Sequence, residues 1–143
     1  MGIIEKSKIL RANATLTYRN AGKDIKDVQL IDLPDKWQPF NGGEWVNLPM
    51  PEDLGMTALL FKGKSGKTFG QHIHSVSVER MGILNEGGKM KVYIEDTGIF
   101  NIEYPQSIVI PKGKRHDVDF ITDCTIQVIW KPGLGLFDGE FAE

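Results

Sequence analysis

Cysteine is nearly absent from this 143-residue chain, with Cys124 standing alone. No internal disulfide can brace the fold, and a cysteine-built zinc finger is excluded. Cys124 opens the apolar run 124–130, where a small core residue is a better reading than a nucleophile. A reducing cytoplasm is the expected compartment. Long apolar runs are missing as well. Residues 1–17 lack the apolar centre of a signal peptide, and no stretch approaches the roughly 20 residues of a membrane helix. Nor does one sign of charge dominate. Seventeen basic and 19 acidic side chains give a net charge of -2, which offers no electrostatic reason for nucleic acid or an anionic membrane as partner. Arginine is limited to Arg11, Arg19, Arg80 and Arg115, which disfavours a pocket built on bidentate phosphate contacts.

Helical periodicity is hard to find. Short β-branched and aromatic runs recur instead, at 57–61, 68–78, 81–84, 90–95, 99–104, 107–110, 116–121 and 125–130. Between them, Asn85-Glu86-Gly87-Gly88 and Asp96-Thr97-Gly98 supply the positive φ that tight hairpins require. With 41% apolar and 25% charged residues, the expectation is one soluble all-β domain over residues 1–143, a sandwich or barrel. Residues 1–54 are expected to form an irregular N-terminal arm with two packing strands, lying on the barrel through Tyr18, Trp37, Phe40 and Trp45. Residues 55–131 make the barrel core, and the Gly-rich, acidic tail 132–143 reads as irregular.

Histidine is also scarce, and its placement carries the functional reading. His72 and His74 share one face of a strand, with Cα atoms about 6.5 to 7 Å apart. Two imidazoles so placed can tilt toward one ion about 2.1 Å from each ring nitrogen. Glu79 can reach the same ion if the strand bends after His74. His116 opens another strand directly after the turn 111–115, which would hold it opposite the first pair. All three histidines of the chain thus fit one site, far beyond what an isolated His-x-His would signify. Parity places Val118 and Phe120 inward with His116, sends Asp117 and Asp119 to solvent, and turns Met81 and Ile83 inward with Glu79. Met81, Val118 and Phe120 are therefore candidate substrate-binding residues. Tyr93 and Tyr104 are the nearest thing to proton-transfer groups, although ordinary packing is the preferred reading of both.

These residues resemble the cupins. The first cupin motif, G-x5-H-x-H-x4-E-x6-G, is matched by Gly66, His72, His74 and Glu79, with Glu86 at the last position and Gly87 one residue late. The second, G-x5-P-x-G-x2-H-x3-N, is matched by Pro111, Gly113 and His116, with Pro105 for the leading Gly and Phe120 for the final Asn. The departures fall at turn and packing positions, and all four metal-binding positions of the family are intact. The resemblance covers roughly residues 55–131 and is nearest to small single-domain members. It implies a double-stranded β-helix (jelly-roll) barrel, an ion supplied with ligands from two strands, and commonly a homodimer.

The donor set suits one divalent transition metal, Fe, Mn, Ni, Cu or Zn, without choosing among them. Four protein ligands leave two positions of an octahedral ion open to a small-molecule ligand or substrate. The function expected is a metal-dependent enzyme acting on a small organic acid or related metabolite, with dioxygenase-type chemistry slightly ahead. An isomerase or lyase is the alternative, and beyond it a non-catalytic small-ligand-binding cupin.

Overall fold

The turn glycines and the alternation of apolar residues build two antiparallel sheets that face one another. The computed structural model describes residues 28, 30–51 and 54–132, with the backbone of 139–141. Its strands are β1 (Gln38–Phe40), β2 (Gly43–Leu48), β3 (Thr57–Gly63), β4 (His72–His74), β5 (Val78–Ile83), β6 (Lys89–Ile94), β7 (Gly98–Glu103), β8 (Ser107–Ile110), β9 (His116–Phe120), β10 (Cys124–Lys131) and β11 (Gly139–Phe141). One sheet runs β1-β2-β3-β10-β5-β8 and the other β11-β4-β9-β6-β7. From β4 onward the chain changes sheet at nearly every connection, and only the β6–β7 hairpin stays within one. The expected all-β class holds, and among the described residues there is no α-helix. Nothing among them is a helix long and apolar enough to cross a membrane.

Period-two patterning decides the core. On β10, Cys124, Ile126, Val128 and Trp130 are buried, while the residues between them are half-exposed. They meet Trp45, Leu59, Phe61, Met81, Ile83, Met90, Val92, Ile110, Val118 and Phe120 from both sheets. Fully burying each such side chain contributes roughly 1.5–3 kcal/mol, so this two-sided interior dominates stability. Cys124 is one of its small members, its thiol donating to the Lys89 carbonyl 3.2 Å away, and burial raises its pKa. Phe120 stacks on Phe61 with ring centroids 5.7 Å apart. It presses so closely on Gly63 that a Cβ there would lie 2.4 Å from the ring.

Two expectations need correction, and one is extended. The run 68–78 is not one strand. Thr68 makes an isolated bridge to Asp119, β4 holds only three residues, and a bend at Ser75–Val76 carries the chain into the opposite sheet before β5. The amino-terminal aromatics do more than lie against the barrel: Trp45, on β2, is part of the core. Phe40 packs on Phe69, and Lys62 Nζ sits 4.2 Å from the Trp37 ring. Tyr18 lies outside the described residues. Finally, the tail is not wholly irregular, because β11 pairs with all three residues of β4.

Candidate metal centre

The bend after β4 brings the four candidate ligands together from three strands, and not from the two that the motifs suggested. His72 and His74 come from β4, His116 from β9 and Glu79 from β5 in the facing sheet. All are buried, and one ligand atom of each lies within 4.8 Å of the others. His72 and His116 are direct register partners, their rings 4.1 Å apart. The turn that precedes His116 is anchored to the first pair, because the Gly113 N–H donates to the His74 carbonyl at 2.7 Å. Gly113 has a φ of +77°, a left-handed conformation that favours glycine and explains its place in the motif.

Hydrogen bonds fix how the imidazoles point. His72 Nδ1 lies 2.8 Å from the Gly70 carbonyl, and His116 Nδ1 lies 2.8 Å from the Lys114 carbonyl. A carbonyl only accepts, so each Nδ1 carries the proton and each Nε2 is left for the centre. The two histidines use the same device, a carbonyl two residues upstream. At His74 the third neutral tautomer is set from the other side. The indole N–H of Trp130 donates to His74 Nε2 at 3.2 Å, so that atom presents a lone pair. Such outer contacts orient metal ligands and tune their basicity.

Glu79 sits among these nitrogens, Oε1 3.5 Å from His74 Nε2 and Oε2 2.8 Å from His116 Nε2. The shorter contact is not aligned as a hydrogen bond, and both of its atoms are buried without a hydrogen-bond partner. A buried carboxylate oxygen and ring nitrogen so close, within a cluster of four ligand-type side chains, fit a site built to share a cation. The residues present therefore suit a divalent metal. Electrostatics agree. Burial would raise the Glu79 carboxyl, but the imidazoles of His116 and His74 outweigh it and hold its pKa well below the usual range. Burial likewise opposes a proton on His116, yet the facing Glu79 carboxylate raises its pKa above 6.5. His72 is lowered to about 3, first by burial and then by the neighbouring His116. Without metal, Glu79 and His116 thus favour each other's charged forms, while burial favours a neutral His72.

The remaining candidates divide. Met81, Val118 and Phe120 are buried and face the interior beside the ligands, as parity requires. Tyr93 lies on the outer side of β6, paired in register with Asp117, and the nearby Asp119 carboxylate raises its pKa. Tyr104 is exposed at the β7–β8 turn. Neither tyrosine is at the centre. Asp117 is half-buried and not in open solvent. Its Oδ1 accepts from the Thr68 hydroxyl (2.9 Å), the Gly70 N–H (2.9 Å) and its own neighbour's N–H at Val118 (2.7 Å). Asp117 and Trp130 are the two participants that the motifs gave no means of finding.

No family model matches the sequence. No curated protein matches it either. Solved structures do. The nucleoside dehydratase Pac13 of Streptomyces aligns at a TM-score of 0.65 and 10% identity, covering 80% of this chain and 92% of that one. A chain from the DMSP lyases RdDddP and RnDddQII aligns at 0.58 and 19% identity over 70% of this chain, which spans about half of it, 52%. Oxalate decarboxylase from Bacillus subtilis aligns at 0.65 and 12% identity, with 85% of this chain covering 34% of that one. These neighbours are cupin-fold proteins, and at these identities the likeness is one of fold. The chain has the cupin fold, with a buried cluster of three histidines and one glutamate.

Proposed function

We propose that the chain is a metal-dependent enzyme acting on a small organic acid or related metabolite, with His72, His74, Glu79 and His116 holding one divalent transition metal. The observation that carries this reading is the buried cluster itself, in which one ligand atom from each of the four residues lies within 4.8 Å of the others. When bound, the metal supplies a Lewis acid, or with a redox-active ion an electron donor, at positions the protein leaves free. The chain's own residues prepare that centre. The Gly70 and Lys114 carbonyls keep the protons of His72 and His116 on Nδ1. Glu79 offsets part of the cation's charge. Phe69 packs on the His72 ring, centroids 5.1 Å apart, and Phe61 packs on Phe69 at 5.0 Å, which keeps water from that side.

Between reaction types, elimination or decarboxylation without net oxidation takes first place. The structural neighbours are named as a lyase, a dehydratase and a decarboxylase. Dioxygenation, the lean of the sequence, rests on the suitability of the donor set for Fe(II). Metal analysis of untagged protein comes first, then turnover of small organic acids with and without dioxygen. Product formed equally under both conditions supports the lyase reading. Strict dependence on dioxygen, with stoichiometric uptake, supports the dioxygenase instead. No stoichiometric metal at neutral pH, even after reconstitution, would sink both.

A further inference from the structure

Trp130 is the last inward residue of β10, 3% exposed, and stands directly opposite Glu79 in the β10–β5 register. Its indole N–H donates to His74 Nε2, and that same nitrogen faces Glu79 Oε1. The lone pair that accepts from Trp130 is therefore the one His74 would give a metal. An imidazole nitrogen has a single lone pair, so the two uses exclude each other. Indole is a donor only, and a buried donor left unpaired costs about 1–3 kcal/mol. A metal on His74 thus removes the acceptor of Trp130 and leaves its N–H directed at the centre, with the ring held in the core by Met81, Val128 and their neighbours.

What can restore the lost bond is an acceptor that arrives with the metal. We propose that Trp130 is a specificity-determining residue of this site, whose indole N–H donates to a small anion, in the first place a carboxylate, held by the metal. The proposal rests on the metal reading above and adds the recognition of the anion. The apolar core around Trp130 makes this donor consequential, since a hydrogen bond to a charged acceptor in such surroundings is about twice as strong as a neutral one. It also sets a direction for the metal itself: removing the indole N–H removes a competitor for His74 Nε2.

The test loads the full chain with Cu(II) and uses azide as the anionic probe. Metal affinity is read by competition with a chromophoric chelator, and azide affinity from the charge-transfer band. In Trp130→Phe, metal affinity should be unchanged or higher, and azide binding about ten-fold weaker. Equal azide affinity in the two proteins overturns the proposal, as does a variant that loses metal as severely as a ligand deletion. A second measurement needs no variant. In the Zn(II)-loaded wild type, the Trp130 indole proton resonance should move downfield when acetate is added, and an unresponsive resonance overturns the proposal. Failure of the wild type to bind metal is a separate result, and it takes down the metal reading first.

Discussion

Asp117 and Gly70 are joined by a hydrogen bond of 2.9 Å from the Gly70 N–H to Asp117 Oδ1, and each residue adjoins the orientation of a metal-type ligand. Gly70 offers its carbonyl to His72, and Asp117 follows His116 in the chain. One carboxylate therefore couples the loop behind the first ligand to the strand of the last. Asp117→Ala should lower metal affinity by about 10- to 100-fold, the usual effect of removing an outer contact of a ligand. Asp117→Asn keeps the accepting oxygen and should restore most of it. Competition titration of both variants decides the matter, and equal losses in the two would show that charge, not placement, is what Asp117 supplies.

Glu79 serves both function and stability. Glu79→Gln should abolish tight metal binding and also lower the stability of the metal-free protein at neutral pH, because the depressed Glu79 pKa favours the ionised carboxylate over a neutral isostere beside His116. His116→Ala should act in the same direction. It strips the buried carboxylate of its principal partner, and loss of about 3–5 kcal/mol is expected in denaturant unfolding of the metal-free form.

The pH dependence follows from signs. A metal must displace the proton that Glu79 holds on His116, whose pKa is raised above 6.5. Metal affinity should therefore climb as pH rises through that raised value, with release of one proton. Affinity that is flat with pH from 6.5 upward would refute this coupling. Stability of the metal-free protein behaves differently. The His116 contribution is fully present below 6.5 and is lost as pH rises through its folded pKa. That of Glu79 is present above 4.5 and lost as pH falls through its depressed value. His72, folded pKa about 3, costs stability as pH falls from 6.5 toward 3, since only the unfolded chain takes the proton. Calorimetry with and without a chelator separates the two behaviours.

Packing supplies a control remote from the ligands. Gly63→Ala drives a methyl to 2.4 Å from the Phe120 ring, and should cost about 1–3 kcal/mol by chemical denaturation. A neutral result would mean that the Phe61–Phe120 stack shifts freely.

Sequence reasoning reached the four clustered residues because each sits on a strand whose parity or turn chemistry is local. His72 and His74 alternate on one face, and His116 follows a turn with the glycine its φ favours. The path between His74 and Glu79 was only half legible. A bend was foreseen, but Val76 and Val78 made the segment read as one continuous strand, whereas both are exposed and Ser77 is buried, its hydroxyl bonded to the Pro132 carbonyl. A change of sheet resets parity, and no local pattern announces it. Trp130 closes the apolar run 124–130, but its contact with His74 depends on how the two sheets face one another. Asp117 occupies an outward position by alternation, yet a short flexible carboxylate can turn back to a neighbouring loop. β11 carried no periodic signal, and its pairing depends on the edge that β4 presents.

The crossing of the chain between β4 and β5 has a mechanical consequence. With a single cysteine the protein cannot staple its two sheets covalently. A metal bound by β4 and β9 on one side and β5 on the other would close the same kind of long loop that a disulfide closes, and would have to be released before the layers part. Cofactor loading would then govern how slowly the protein unfolds as well as what it can catalyse, so that a chelator sets its lifetime as a reductant does for a disulfide-bonded domain.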